Sequence, residues 1–149
     1  MKTKVNPYIA YHGTDVEFPE FDDKKANQRD EGWLGKGHYF STDENVGRAN
    51  KYVAETEVHL NNPFSVNLPS FSKDKRNVIR EALKLPKDAT SEEVTEKLKK
   101  LGHDGVTLDY APTGYNHKEL LAFTGKQTKI KKFKEVPKTS FNKHLEKKK

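Results

Sequence analysis

The chain has 149 residues and no cysteine, and 34% of its residues are charged against 32% hydrophobic. This length predicts a single domain that buries enough surface to fold on its own. The lack of cysteine excludes a disulfide framework, a thiolate nucleophile and a cysteine-based zinc site. No apolar run approaches the ~20 residues of a membrane span, and no apolar stretch follows the first charged residues. We therefore expect no membrane contact, no secretory signal and a cytoplasmic protein.

The net charge of +6 is distributed unevenly along the chain. The segment from Gly125 to Lys149 contains ten Lys and two acids, so the rest of the chain sums to −2. This asymmetry predicts one domain over residues 1–133 and a lysine-rich tail over residues 134–149. Such a tail is typical of contact with nucleic acid or a ribonucleoprotein, and equally of a solvated chain end.

Hydrophobic spacing and capping residues predict the elements of the domain. Thr42 or Asp43 is a suitable N-cap for the first helix, and Thr90 with Glu93 fits a capping box at the start of the last helix. The order of elements predicts an α+β fold rather than a regular alternation of strand and helix. In chain order, we expect a strand at 8–11, a loop at 15–37, a strand at 39–40, a helix at 45–54, strands at 57–60 and 64–66, helices at 73–85 and 90–102, and strands at 106–108, 119–123 and 130–133.

Several common catalytic motifs are missing from the sequence. There is no Gly-x-Ser-x-Gly nucleophile elbow and no Walker-type phosphate loop. The glycine-rich segment from Gly32 to Gly37 precedes a predicted strand, whereas a dinucleotide fingerprint joins a strand to a helix. The six His lack the spacing of paired zinc ligands, so we predict no metal site.

Three clusters of residues carry possible chemistry. In Tyr11-His12-Gly13-Thr14, the glycine lets a ligand approach the backbone beside two polar side chains. Tyr39, followed thirteen residues later by Tyr52 on the predicted returning helix, would form a pair of rings that holds a flat aromatic ligand. Glu119 at a strand mouth can stabilise a developing positive charge. Each cluster also has an ordinary structural explanation, as a hydrogen-bonded His, half-buried Tyr residues and a solvated acid.

The order of these clusters resembles ADP-ribosyltransferase domains of the His-Tyr-Glu type, the group that includes diphtheria toxin and the poly(ADP-ribose) polymerases. The chain is similar over about residues 8–130, in particular to small bacterial and phage members such as those within phage polyvalent proteins. The matching segments are Tyr11-His12-Gly13-Thr14, Gly35-Lys36-Gly37-His38-Tyr39-Phe40-Ser41, Ala49-Asn50-Lys51-Tyr52, Leu101-Gly102-His103-Asp104-Gly105-Val106 and Glu119-Leu120-Leu121-Ala122-Phe123.

The resemblance implies that NAD is the substrate and binds in a cleft of a split, mainly antiparallel sheet. His12 would hydrogen-bond the adenosine ribose, and the Gly13 backbone would hold the nicotinamide carboxamide. Tyr39 and Tyr52 would sandwich the nicotinamide ring, and Glu119 would stabilise the oxocarbenium-like state. The implied catalytic residues are Glu119, His12 and Tyr39, and the implied NAD-binding residues are His12, Gly13, Thr14, Tyr39, Ser41 and Tyr52.

Two departures from the family pattern bear on substrate and acceptor. Ala49 stands where the polymerases carry a Ser three residues before the second Tyr, so Ser41 or Thr42 would have to supply a polar anchor. His117 stands two residues before Glu119, where arginine-modifying members carry Glu or Gln, so arginine is not the expected acceptor. The short chain lacks the partner domains of long-chain polymerases, and we expect transfer of a single ADP-ribose.

The resulting hypothesis is an NAD-dependent mono-ADP-ribosyltransferase with a protein or nucleic-acid acceptor, in the setting of a phage or bacterial effector. Two alternatives stay open. The first is a different reaction on the same fold, either NAD hydrolysis or RNA 2′-phosphate transfer. The second alternative is a non-catalytic module that binds nucleic acid or an acidic protein through the lysine-rich tail.

Overall fold

The computed structural model describes residues 7–25, 33–47 and 50–136. These described residues form seven strands and two α-helices, together with four short 3-10 turns. The strands are β1 (Tyr8–Thr14), β2 (His38–Ser41), β3 (Tyr52–Val58), β4 (Phe64–Asn67), β5 (Gly105–Asp109), β6 (Lys118–Ala122) and β7 (Thr128–Glu135). The helices are α1 (Lys75–Ala82) and α2 (Ser91–Lys100), and the 3-10 turns are Asp23–Lys25, Glu44–Gly47, Ala111–Thr113 and Gly125–Gln127.

The seven strands form one sheet in the order β4-β5-β6-β2-β1-β3-β7. Five of the six neighbouring pairs are antiparallel, and β4 with β5 is parallel. Both α-helices lie in the connection between β4 and β5, as a parallel pair requires a long crossover. This architecture confirms the predicted α+β class and the mainly antiparallel sheet.

β1 and β2 share fewer paired residues than any other neighbouring strands of the sheet. β1 pairs with β3 along its whole length, and β2 pairs with β6 along its whole length. Between β1 and β2 the register contains one pair, Tyr11 with Ser41. The two halves of the sheet therefore diverge from this point, which corresponds to the split expected between the strands that carry the candidate residues.

The core is divided into two hydrophobic clusters. In one, Ile79 of α1 and Leu98 of α2 pack with Leu121 of the sheet. In the other, Leu120 packs with Phe40. Leu120 and Leu121 are adjacent in β6 and belong to different clusters, because successive side chains of a strand point to opposite faces. Both faces of the sheet are thus covered in its centre.

The predicted capping signals of α2 are confirmed. The Thr90 hydroxyl accepts a hydrogen bond from the Glu93 backbone N–H at 3.1 Å, and the Glu93 carboxylate accepts one from the Thr90 N–H at 3.1 Å. Gly102 follows the helix with a φ of 88°, the left-handed conformation that closes a helix C-terminus. The first α-helix is capped by Asp74, whose carboxylate accepts from the Arg76 N–H at 2.9 Å.

The predicted helix over residues 45–54 is wrong. Asp43 does act as a cap, since its carboxylate accepts from the Asn45 N–H at 2.9 Å, but it begins only the 3-10 turn Glu44–Gly47. The chain then enters β3 at Tyr52. This strand is hydrogen-bonded on both edges, to β1 and to β7. Two ladders of backbone hydrogen bonds, one of them with a register shift between Glu55 and Thr56, outweigh the local helical spacing.

The end of the described chain extends the sheet past the predicted domain boundary at residue 133. β7 continues to Glu135, and Lys134 forms ion pairs with Glu44 at 3.0 Å and Glu55 at 3.1 Å. The lysine-rich segment after residue 136 lies outside the described residues. Across the described ranges, no helix is long and apolar enough to span a membrane.

Candidate functional site

A cleft of about 400 Å³ opens where β1, β2 and β6 meet. Five of the predicted site residues line it, namely His12, Gly13, Tyr39, Ser41 and Glu119. The other lining residues are Tyr11, Trp33, Phe40, Asn50, Lys75 and His117. Residues more than a hundred positions apart in sequence therefore share one concave site.

Strand pairing explains this convergence. In the antiparallel ladders, Ser41 lies opposite Tyr11 of β1 on one side and opposite Glu119 of β6 on the other. Side chains of directly opposed residues stand about 5 Å apart on the same face of a sheet. Tyr11, Ser41 and Glu119 consequently form a row across the sheet, at the position where its two halves diverge.

Glu119 is held by two donors. Its carboxylate accepts hydrogen bonds from the Lys75 ammonium at 2.9 Å and from the Tyr110 hydroxyl at 3.2 Å. The side chains of Glu119 and Lys75 are 16% and 22% exposed, so the pair is largely shielded from bulk water. The acid predicted to be catalytic therefore faces the cleft with a fixed orientation.

The pKa values around Glu119 keep both donors protonated at neutral pH. Burial acts to lower the pKa of Lys75, but the charge and hydrogen bond of Glu119 outweigh it and the pKa is raised. Burial raises the pKa of Tyr110, and the negative charge of Glu119 raises it further. Lys75 thus remains an ammonium and Tyr110 a phenol, and both can donate to the carboxylate.

No sequence pattern marked Lys75 or Tyr110 as site residues. Lys75 is the first residue of α1 and is separated from Glu119 by 44 positions. Its ammonium lies 4.6 Å from the centroid of the Trp33 ring, a distance that permits a cation–π contact. Trp33, which is 44% exposed, was also missed; its place in the glycine-rich segment before Tyr39 was the available signal.

His117 is a buried neighbour of Glu119. Its Nδ1 atom lies 3.0 Å from the Ser41 hydroxyl, and its ring stacks on Tyr115 with centroids 4.8 Å apart. Burial is the main cause that lowers the pKa of His117, so the ring is neutral at pH 7. The Tyr115 hydroxyl donates to the Asp43 carboxylate, which raises the pKa of Tyr115 to about 12. These contacts fix the loop that precedes Glu119.

The two hydroxyls proposed as polar anchors have different positions. Ser41 lines the cleft, and its hydroxyl also accepts from the Asp43 N–H at 2.9 Å. The Thr42 hydroxyl accepts from the backbone N–H of Lys118 at 2.9 Å and does not line the cleft. Ala49, the residue that replaces the family Ser, lies outside the described residues.

His12 stands at the edge of the cleft. Its Nδ1–H donates to the Tyr39 carbonyl at 2.8 Å, because a carbonyl can only accept. Its ring packs edge-on against Phe21, with centroids 5.1 Å apart, and lies 5.8 Å from Phe40. Gly13 follows on the cleft lining, where it leaves the strand backbone accessible.

Tyr39 is fixed by the glycine-rich loop. Its hydroxyl donates to the Gly35 carbonyl at 2.6 Å and accepts from the Leu34 N–H at 2.8 Å. Gly37 has a φ of 156°, and a Cβ there would lie 2.3 Å from the Ala122 carbonyl oxygen. The Gly-Lys-Gly motif therefore folds the loop tightly against β6 and locks the ring beside the cleft.

The predicted pair of facing Tyr rings is not formed. Tyr52 lies opposite Thr14 in the β1–β3 ladder, and neither residue lines the cleft. Tyr39 shares the face of Ser41, whereas Thr14 and Tyr52 belong to the face that also carries His12. They stand at the last position of β1 and the first of β3, beyond the lining of the cleft. The expected arrangement depended on a helix at residues 45–54, and the strand found there turns Tyr52 away. Trp33 is another large ring of the cleft lining, together with Tyr11 and Phe40.

The described residues contain no group of three or more His, Asp or Glu side chains arranged to hold a metal ion. The cleft instead offers aromatic rings, a glycine backbone and one carboxylate held by two donors. This set of groups can bind a flat, polar organic ligand and stabilise positive charge on it.

Comparison with known proteins agrees with these features. The model of the family described as ADP-ribosyltransferase in polyvalent proteins (ART-PolyVal) matches residues 3–135. No curated protein matches the chain. The matched segment includes every strand and helix described above and all the lining residues of the cleft. The resemblance to ADP-ribosyltransferase domains is therefore confirmed, and the chain belongs to the family of ADP-ribosyltransferases in polyvalent proteins.

Proposed function

We propose that the protein is an NAD-dependent mono-ADP-ribosyltransferase that cleaves the nicotinamide glycosidic bond and transfers one ADP-ribose to a macromolecule. The observation that carries this proposal is the position of Glu119. Its carboxylate is largely buried, held by Lys75 and Tyr110, and directed into a cleft that also contains Tyr39 and Trp33. The family match supports ADP-ribosyl transfer as the reaction class.

The lining residues divide into binding roles. The ring faces of Tyr39 and Trp33 suit a flat nicotinamide, since offset stacking contributes about 1 kcal/mol beyond burial of area. The Gly13 backbone suits the carboxamide, and Ser41, which also lines the cleft, adds a hydroxyl. His12 lies at the edge of the cleft, where it would meet the adenosine end of the dinucleotide. The cleft volume of about 400 Å³ lies within the usual range of small-molecule sites.

The chemistry follows from charge development. When the bond between the anomeric carbon and the nicotinamide nitrogen breaks, its electron pair goes to the ring, which leaves as a neutral molecule. The ribose becomes cationic, and the carboxylate of Glu119 stabilises it. An oxygen or nitrogen nucleophile of the acceptor then forms the new bond and loses its proton to water. The cleft has to supply orientation and electrostatics more than a strong acid.

The alternative reactions of this fold differ in what the cleft must hold. An RNA 2′-phosphotransferase normally uses paired Arg residues to hold phosphate, and the described lining of the cleft contains none. An NAD glycohydrolase would use the same residues with water in place of the acceptor. We place the reaction in the cytoplasm and the protein in the class of phage or bacterial effectors, as parts of the same proposal.

The test is release of nicotinamide from NAD by the purified protein. Wild type should release nicotinamide, and Glu119→Gln, which keeps the shape and removes the charge, should be at least a hundredfold slower. Glu96→Gln on the exposed side of α2 is the matched control and should equal wild type. Full activity of Glu119→Gln would refute the assigned chemistry. No release by wild type, together with no thermal shift on adding NAD, would refute the function.

A further inference from the structure

His117 is a titratable side chain of the cleft lining and is only 6% exposed. Its carbonyl accepts a hydrogen bond from the Tyr110 N–H at 2.9 Å, so His117 extends the pairing of β5 with β6 by one residue. Residues two positions apart in a strand share a face of the sheet. His117 and Glu119 therefore lie on the same face, and both line the cleft.

The hydrogen bonds of Ser41 define the tautomer of His117. The Ser41 hydroxyl lies 3.0 Å from Nδ1 of His117. It also accepts from the Asp43 N–H at 2.9 Å and donates to the Asp43 carbonyl at 3.2 Å. A hydroxyl has one proton to donate, so all three contacts are satisfied together only when Nδ1 carries a proton and donates to Ser41. In the neutral ring the lone pair is then on the other nitrogen, Nε2.

Nε2 of His117 is accessible. Within the described part of the chain it has no hydrogen-bond partner, since the hydrogen bond of the ring is made by Nδ1. No side-chain nitrogen or oxygen of the described residues is both buried and without a partner. Solvent therefore reaches Nε2, and because the ring lines the cleft, a group bound in the cleft can reach it as well.

The surroundings of His117 keep its ring neutral at pH 7. Burial lowers the pKa of His117 from its usual value of 6.5, and the ammonium of Lys75 acts in the same direction. The carboxylates of Glu119, Asp43 and Asp109 act in the opposite direction without overcoming burial. Two phenols pack beside the ring and stay uncharged because their pKa values are raised, namely Tyr110 and Tyr115. The imidazole is thus a free base, and the three carboxylates stabilise the imidazolium once a proton arrives.

A base of this strength suits a hydroxyl nucleophile. A hydroxyl oxygen has a lone pair, and its proton becomes acidic only as the new bond forms, when a neutral imidazole can accept it. The ammonium of a Lys or the guanidinium of an Arg must lose a proton before it attacks, which a base with a pKa below 6.5 does poorly. A carboxylate has no proton to lose. His117 therefore favours an acceptor that attacks through a hydroxyl.

We propose that His117 is a general base of this reaction and takes the proton of the hydroxyl group that attacks the anomeric carbon. The inference rests on the proposed function. The hydroxyl oxygen supplies the electron pair of the new bond to the anomeric carbon, while the pair of the broken bond leaves with nicotinamide. The proton of the hydroxyl goes to the lone pair of Nε2, and the imidazolium then passes it to water.

The role of His117 is tested by letting two nucleophiles compete. The full chain receives NAD with methanol and azide together, and methyl ADP-ribose and ADP-ribosyl azide are quantified by mass spectrometry. Methanol must lose a proton, whereas azide attacks as an anion and needs no base. The ratio of methyl to azide product should fall at least tenfold in His117→Gln, since a positioned base contributes about a hundredfold or more. His59→Gln, the same change at a side chain that is 46% exposed and outside the cleft lining, should keep the wild-type ratio.

The pH dependence of the wild-type ratio is a second test that does not require the variant to fold. Counted per azide anion, the ratio should fall as the pH decreases through the lowered pKa of His117, because the imidazolium has no lone pair. Loss of the charge of Glu119 would slow the formation of both products alike and leave their ratio unchanged.

The outcomes separate this inference from the proposed function. A ratio that is unchanged in His117→Gln, or constant in wild type between about pH 5 and 7, would overturn the role of His117 while nicotinamide release still supports the proposed function. Azide product without methyl product in wild type would overturn the role as well. No nicotinamide release with either nucleophile would refute the proposed function, and the inference with it.

Discussion

Removing the ammonium of Lys75 tests whether it holds Glu119 in solution. At 2.9 Å and an effective dielectric constant of about 20, the gross attraction between two unit charges is about 6 kcal/mol. Desolvation of the two ions offsets most of this attraction. We therefore expect Lys75→Met to lower the free energy of unfolding by about 1–3 kcal/mol, because it leaves a largely buried carboxylate with Tyr110 as its remaining donor.

The interaction free energy between Lys75 and Glu119 is isolated by a double-mutant cycle. The cycle uses Lys75→Met, Glu119→Gln and the combined variant, measured by urea denaturation at pH 7. The expected coupling free energy is about 1–2 kcal/mol. The pKa of Lys75 is raised above 10.5, so the stabilisation is fully present below that pH. It should be lost as the pH rises through the raised value. A coupling below about 0.3 kcal/mol at pH 7 would show that the two side chains do not form this pair.

Three further predictions test the placement of other residues. Trp33→Ala should weaken NAD binding about tenfold by calorimetry, whereas Tyr52→Ala should change it less than twofold; the reverse order would contradict the strand assignment. Gly37→Ala should lower the free energy of unfolding by at least ~2 kcal/mol, because the added Cβ would clash with the Ala122 carbonyl oxygen. Gly114→Ala should lower it by about 1 kcal/mol, because no atom lies within 4 Å of the added Cβ and only the positive φ opposes the change. Equal losses for the two variants in urea denaturation would contradict the loop geometry. Leu98→Ala should cost about 2–5 kcal/mol as a fully buried residue, and a loss under ~1 kcal/mol would contradict the packing of α2.

Much of the fold could be predicted because its signals are local. The capping box at Thr90 and the Gly102 after α2 depend on residues a few positions apart, and both were found. The strands that carry His12, Tyr39 and Glu119 were also predicted from short apolar runs. Their convergence could be expected only from the family resemblance, since register between distant strands is not written in local spacing.

The parts that failed depend on tertiary context. The sequence offers Thr42 or Asp43 as a cap, and Asp43 is the one that caps the turn. How far a helix extends after its cap is decided by competing strand pairing with β1 and β7. The predicted pairing of Tyr52 with Tyr39 was consequently wrong. Lys75 and Tyr110 reach Glu119 from other elements, and a Lys at a helix start resembles any solvated Lys in sequence. Such partners can be identified only when the packing of α1 against the sheet is known.

The most direct measurement is a crystal structure of the protein with a non-hydrolysable NAD analogue. The nicotinamide ring should lie against Trp33 and Tyr39, with the carboxylate of Glu119 within hydrogen-bond distance of a hydroxyl of the attached ribose. An analogue whose nicotinamide ring stacks on Tyr52, or with its ribose out of reach of Glu119, would contradict the proposed site.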